Sequence, residues 1–143
     1  MSILITLTIA FMSALASIVF HYWSLRFVTQ STKQFTSHFL MSVTVVICLF
    51  IIHFAEIMWF SVVLFISYTE IGLAGFQQPV SLTMIDYIQI AAVSFTTLGG
   101  FFSAPIDELA LLIALISLTG FMMLTWSATY YYNIFSNSDL RSK

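Results

Sequence analysis

Two groups of residues in this chain have the types and spacing to do chemistry. Thr96-Thr97-Leu98-Gly99-Gly100-Phe101 sets two hydroxyls and two glycines directly after a short apolar segment, Asp86 to Phe95. If that segment is helical, its C-terminal end carries the partial negative charge of the helix dipole. The carbonyls that follow it can then replace the water around a dehydrated cation. His53 and Glu56 form the second group, three residues apart and able to share one helix face, inside a long apolar run. An ionisable group at membrane depth is costly and is a functional candidate by default. One reading makes the pair a proton or ion sensor behind the loop. The plainer and preferred one makes Glu56 a neutral or hydrogen-bonded tie between that helix and the short segment. His21 could in principle join them as a third ligand. Two ligands at i and i+3 plus one remote histidine are too sparse for a metal site, so no metal and no cofactor is expected.

The elements that must position these residues are membrane helices. Of 143 residues, 60% are hydrophobic, with four basic and six acidic side chains, and the mean hydropathy is +1.02. No soluble domain of this size buries so much apolar surface, so the solvent is lipid. Nothing in the chain resembles an enzyme's catalytic domain, a phosphate loop or a basic nucleic-acid patch. The lone cysteine, Cys48, excludes an intrachain disulfide. The expected fold class is an all-α membrane protein. Residues 1–23 read as an N-terminal transmembrane helix, since about twenty apolar residues span the roughly 30 Å hydrocarbon core. A cleaved signal peptide fits less well, because no basic residue precedes the apolar stretch and no clear cleavage motif follows it. Residues 24–37 read as a polar connector and 38–68 as a second, outer helix long enough to tilt or protrude. Gly72, Gly75, Gln77, Gln78 and Pro79 mark an exposed loop. Residues 86–102 read as a short helix capped by Asp86 and the loop after it. Residues 107–135 form a last helix that starts on Asp107 and Glu108, and 136–143 form a short tail. Trp126 and Tyr130 to Tyr132 read as an interfacial aromatic belt.

Charge placement favours a re-entrant 86–102 segment over a fourth full span. If it re-enters, Arg26, Lys33, Arg141 and Lys143 all lie on one side, with Glu70, Asp86, Asp107 and Glu108 on the other. The positive-inside rule then puts the connector and the C-terminus in the cytoplasm and the N-terminus outside. Gly99-Gly100 with two threonines is also poor material for a lipid-facing helix and acceptable where backbone lines a cavity.

Three stretches then resemble a known family. Ser94-Phe95-Thr96-Thr97-Leu98-Gly99 is similar to the end of the pore helix and the first half of the filter in the small bacterial relatives of potassium channels, the two-transmembrane pore family. His53-Phe54-Ala55-Glu56-Ile57-Met58-Trp59 resembles that group's outer helix. Leu118 to Ser127 resembles its inner helix, and His21 to Arg26 more weakly resembles the segment ahead of the outer helix. The resemblance covers about residues 20–132. It implies a potassium-channel-like pore domain preceded by an extra helix, a homotetramer in a bacterial inner membrane, and passive flow of monovalent cations, K+ or Na+, through the loop from Thr96 to Phe101. Membrane lipid, sister subunits and the permeant ions are the partners implied, and nucleic acid is not one. In register, Thr97-Leu98-Gly99-Gly100-Phe101 stands against the family's Thr-Val-Gly-Tyr-Gly. Either Phe101 then occupies a position where glycine usually takes a positive φ, at a strain of about 1–3 kcal/mol, or the loop is one residue short. In both cases the outer filter is not the ordinary potassium one. Gly120 falls near the family's inner-helix hinge, and Ala114, Ser117 and Gly120 recur as a small-residue face for packing or pore lining. Asp107 and Glu108 either concentrate cations at the mouth or simply favour the helix start. The alternative function is a non-conducting membrane scaffold, favoured by the apolar Phe101-Phe102 pair.

Overall fold

A computed structural model describes residues 2–32, 35, 37–73, 75–78, 81–101 and 103–141. Expectations resting on Lys33, Pro79, Phe102 and Lys143 lie outside the described residues. Four helices follow in order: α1 (Ser2–Thr32), α2 (His38–Thr69), α3 (Met84–Phe95) and α4 (Asp107–Arg141). Among the described residues there is no strand beyond the single bridged pair Phe76 and Pro105. α1, α2 and α4 are long and apolar enough to cross a membrane, whereas α3 is only a short apolar helix. At 1.5 Å per residue α3 is about 18 Å long. The chain is an all-helical protein with three helices suited to a membrane.

Two boundaries differ from the sequence reading. The polar residues from Ser24 onward do not form a connector, because α1 continues to Thr32. Its hydroxyls satisfy themselves along the helix: Thr29 donates to the Leu25 carbonyl and Thr32 to that of Val28, each at 2.9 Å. α4 likewise continues through the expected tail, to Arg141.

In lipid, helices gain little from hiding apolar surface from one another, so small and polar residues mark the contacts. α1 shows this plainly. Its buried positions are Thr6, Ala10, Ser13, Ser17, His21, Leu25, Val28 and Thr32, spaced by threes and fours, while Phe11, Met12 and Trp23 face outward. This stripe packs against α2 and α4. At one end of the bundle Tyr130 shares its one hydroxyl proton between the Thr29 hydroxyl at 2.8 Å and the Leu25 carbonyl at 3.1 Å. Tyr131 bonds Ser42 of α2 at 2.8 Å. Tyr130 and Tyr131 therefore tie helices together beside the apolar cluster of Val28, Val45 and Ile52, where an interfacial belt was expected.

The other end holds the main core. Phe60 and Leu64 of α2, Tyr87, Ile90, Ala91 and Phe95 of α3, and Leu109, Leu112 and Ile116 of α4 close around the short helix. The segment containing α3 leaves and rejoins the bundle at one level. Gln77 N–H donates to the Ala104 carbonyl at 2.9 Å and Ile106 N–H to that of Gly75 at 3.0 Å. Chain that enters at Phe76 thus returns at Pro105 beside its starting point.

The depth of α3 is set by Gly120. A Cβ there would lie 2.7 Å from both Cα and the carbonyl carbon of Phe95, and nearer still to its oxygen. The last turn of α3 rests directly on the backbone of α4. Ala114, by contrast, is exposed and Ser117 half-buried, so the three small residues do not act as one packed face. In an unobstructed helix Gly120→Ala stabilises by about 1 kcal/mol. Here the methyl meets backbone, and we expect a loss of about 1–3 kcal/mol by overpacking. Thermal unfolding of the detergent-solubilised chain checks this; a neutral or stabilised variant would refute the contact.

Candidate functional site

The 96–101 loop is built from the end of α3. Its N-terminus is held by Thr83, which precedes the first helical residue, with Asp86 three residues on rather than at the cap itself. Asp86 Oδ2 accepts from both the backbone N–H and the hydroxyl of Thr83, each at 2.7 Å. The Thr83 hydroxyl, and then its amide, hold the Asp86 carboxyl below the usual aspartate range.

The C-terminus closes as a Schellman turn. Thr97 N–H donates to Ser94 O and Leu98 N–H to Val93 O, both at 2.9 Å. Gly99 N–H reaches the same Val93 oxygen at 3.3 Å, and Thr96 N–H bonds Ala92 O at 3.0 Å. The amides of Thr96 through Gly99 are therefore all turned back into the helix. Thr97 occupies the left-handed position at φ 59°, with Gly99 at 68° and Gly100 at 87°. Phe101 is not among the residues of positive φ, so the strain expected there falls on Thr97. The two glycines absorb the remaining left-handed turns. The Thr96 hydroxyl donates to the Ala92 carbonyl at 2.7 Å, while Leu98 is 80% exposed and Thr97 and Gly100 are also on the surface.

Beneath this turn lies the second group. Glu56 is buried and accepts from two imidazoles, His21 Nδ1 at its Oε1 and His53 Nδ1 at its Oε2, both at 2.9 Å. His21 is fully buried, and its Nε2 lies 3.3 Å from the Ser127 hydroxyl of α4. The two imidazoles stack with centroids 5.5 Å apart. Trp126 packs on His21 at 5.2 Å and Phe95 on His53 at 5.8 Å. One carboxylate thus joins α1 to α2, and through the His21 ring to α4. Both Glu56 oxygens are satisfied from inside the protein, which hydrocarbon demands.

The sequence placed His53 and Glu56 together and the structure keeps them so. It adds His21 and Ser127, and it changes the partner: Glu56 is hydrogen-bonded to His21 of α1, while α3 meets the cluster where Phe95 packs on His53. Trp126 covers His21 instead of serving only an interface. The available signal was the buried stripe of α1, where Ser13, Ser17 and His21 follow at helical spacing. Gly120, read as a hinge by resemblance, is a contact point with α3.

Comparison with protein-family models, curated proteins and solved structures finds no match to this chain.

Replacing Thr97 by Gly removes the left-handed strain of a β-branched residue, about 1–2 kcal/mol, against a smaller entropic loss for glycine. We expect Thr97→Gly to stabilise by about 1 kcal/mol and Thr97→Val not to stabilise, in thermal unfolding. Asp86 supplies a second test. Its folded-state pKa lies below the unfolded value near 3.9. Its contribution is therefore complete above that value and is lost as pH falls through the lowered one. Amide protection at 84–88, corrected for intrinsic exchange, is expected to fall across that acid window in wild type and to show no such step in Asp86→Asn.

Proposed function

We propose that the chain is one subunit of a potassium-channel-like cation channel, whose 96–101 loop is the ion-selective segment of a symmetric tetramer. One observation carries the reading: a short helix leaves the bundle and returns at the same level, and the amides of Thr96 to Gly99 at its tip are committed inward. What remains for an outside partner is carbonyl oxygen, at the negative end of a helix, which suits a cation. α2 serves as the outer helix, α3 as the pore helix and α4 as the inner helix, with α1 packed outside α2 and α4. A single copy encloses no pore, and the exposed loop is the surface that four copies would gather around an axis. In this arrangement the α1–α2 link and the end of α4 face the cytoplasm of a bacterial inner-membrane protein and the N-terminus faces outward. The ions are monovalent, K+ or Na+. The positive φ values at Thr97, Gly99 and Gly100 support a filter different from the ordinary potassium one.

A non-conducting scaffold is the second reading. It is favoured by the ordinary helix-stop geometry of Thr97 and Leu98 and by the outward exposure of Leu98. Ion flux in proteoliposomes separates the two, comparing potassium, sodium and a large impermeant cation. The channel reading expects flux of a small monovalent cation that Gly99→Ala abolishes, since Gly99 holds a conformation L side chains rarely adopt. A folded wild-type oligomer that passes no cation at several pH values and potentials would sink it and leave the scaffold.

A further inference from the structure

We propose that His21, His53 and Glu56 form a binding site for a divalent transition metal of the zinc class, buried between α1 and α2. The ligating atoms of the three residues all lie within 4.8 Å of one another, and each Nδ1 is already 2.9 Å from a Glu56 oxygen. Four-coordinate zinc with bonds near 2.0–2.1 Å places its ligand atoms about 3.3 Å apart. The widest pair therefore has to close by no more than about 1.5 Å, a side-chain adjustment. Two nitrogen lone pairs at this distance from a carboxylate need positive charge between them. Protons supply it in the hydrogen-bonded form, and a metal ion supplies it equally.

The surroundings suit a metal better than a simple tie requires. Ser127 lies on the far side of His21, where its oxygen can accept Nε2–H. In the metal-free form Nδ1–H donates to Glu56 and Nε2 accepts from Ser127; with a metal on Nδ1 the proton sits on Nε2 and Ser127 accepts it, the usual way a metal-binding histidine is oriented. The tilted Trp126 ring packed 5.2 Å away, and the stacked His53 ring, restrict rotation of the same ring. Two imidazoles and one carboxylate match zinc and its first-row neighbours, whereas calcium and magnesium prefer oxygen alone.

Three protein ligands leave a fourth position open, and the structure provides room for it. A half-open cavity of about 250 Å³ between α1 and α2 reaches the cluster on its Glu56 side and is lined by Glu56 and Ser17, with Ala16, Phe20, Ala55 and Trp59 as its apolar walls. The Ser17 hydroxyl is 3% exposed by residue and has no hydrogen-bond partner among the described residues. The Ser13 carbonyl, four residues earlier and the ordinary acceptor for a helical serine, takes the Trp59 Nε1–H at 3.3 Å. A metal-bound water in this cavity gives Ser17 the partner it lacks. The site does not depend on whether the 96–101 loop conducts.

The test uses the full chain in detergent micelles, stripped with a chelator and titrated with Co2+ and then Zn2+. One Co2+ per chain is expected, with the intense visible bands of four-coordinate cobalt, bleached on adding Zn2+, and with a Tm raised by either metal. His53→Asn and Glu56→Gln are each expected to weaken Co2+ binding by about tenfold or more. His38→Ala, which removes an exposed histidine remote in sequence from the cluster, should change nothing. Folded wild type that takes up no stoichiometric Co2+, or shows only the weak bands of six-coordinate cobalt, overturns the proposal. So does binding that survives His53→Asn and is lost in His38→Ala. The wild-type titration decides even where a variant fails to fold.

Discussion

The backbone of Phe95 meets α4 where Gly120 has no side chain, and the depth of α3 depends on that contact. Were any other residue at 120, α3 would have to move along or away from α4. The residues of its buried face, Tyr87, Ile90, Ala91 and Phe95, would then lose their fit against Phe60, Leu64 and Leu112. The same contact positions the loop: Thr96 to Gly100 begin where α3 stops, and they turn back toward Pro105. A short helix held at partial depth, with its returning chain pinned by the Phe76 and Pro105 bridge, is possible only because one glycine admits a backbone where a side chain would otherwise stand.

Directly below that seat, the polar cluster converts an expensive group into a brace. Glu56 could not be left alone in hydrocarbon, and it is not: both oxygens are held, one by a neighbour on its own helix and one by α1. Because His53 packs on Phe95 while His21 reaches Ser127, the cluster links the foot of α3 to the helix that Gly120 belongs to. The loop and the cluster are thus neighbours through Phe95 and not separate features. An event at the cluster that moved His53 would be felt first at the last turn of α3. The hydroxyl ties of Tyr130 and Tyr131 brace the opposite end, so the cluster sits between two reinforced regions of the bundle.

Much of this was legible in residue order. Long apolar runs specify spanning helices because lipid forces the backbone to bond within itself, and that requirement acts locally. The short α3 and the glycines after it were equally local, as were the acids that begin α4. The connector from Ser24 was misread because serine, threonine and arginine usually mark a loop. Here the hydroxyls of Thr29 and Thr32 bond back to the helix, while Arg26, Gln30 and Ser31 stay exposed on its outer side. The alignment register left two options, strain at Phe101 or a loop one residue short, whereas the structure puts the positive φ values at Thr97, Gly99 and Gly100.

By itself the sequence determined that this is a helical membrane protein with one short interrupted segment and one ionisable pair at depth, since length, hydropathy and i, i+3 spacing are properties of a single helix. Only the tertiary structure decided that His21, 35 residues from Glu56, and Ser127, 106 residues from His21, complete that pair. It also decided that Gly120 is a contact point with α3. The reason is physical. Helix–helix register in lipid is chosen by close packing and polar satisfaction among all the helices at once, and no single segment carries that information.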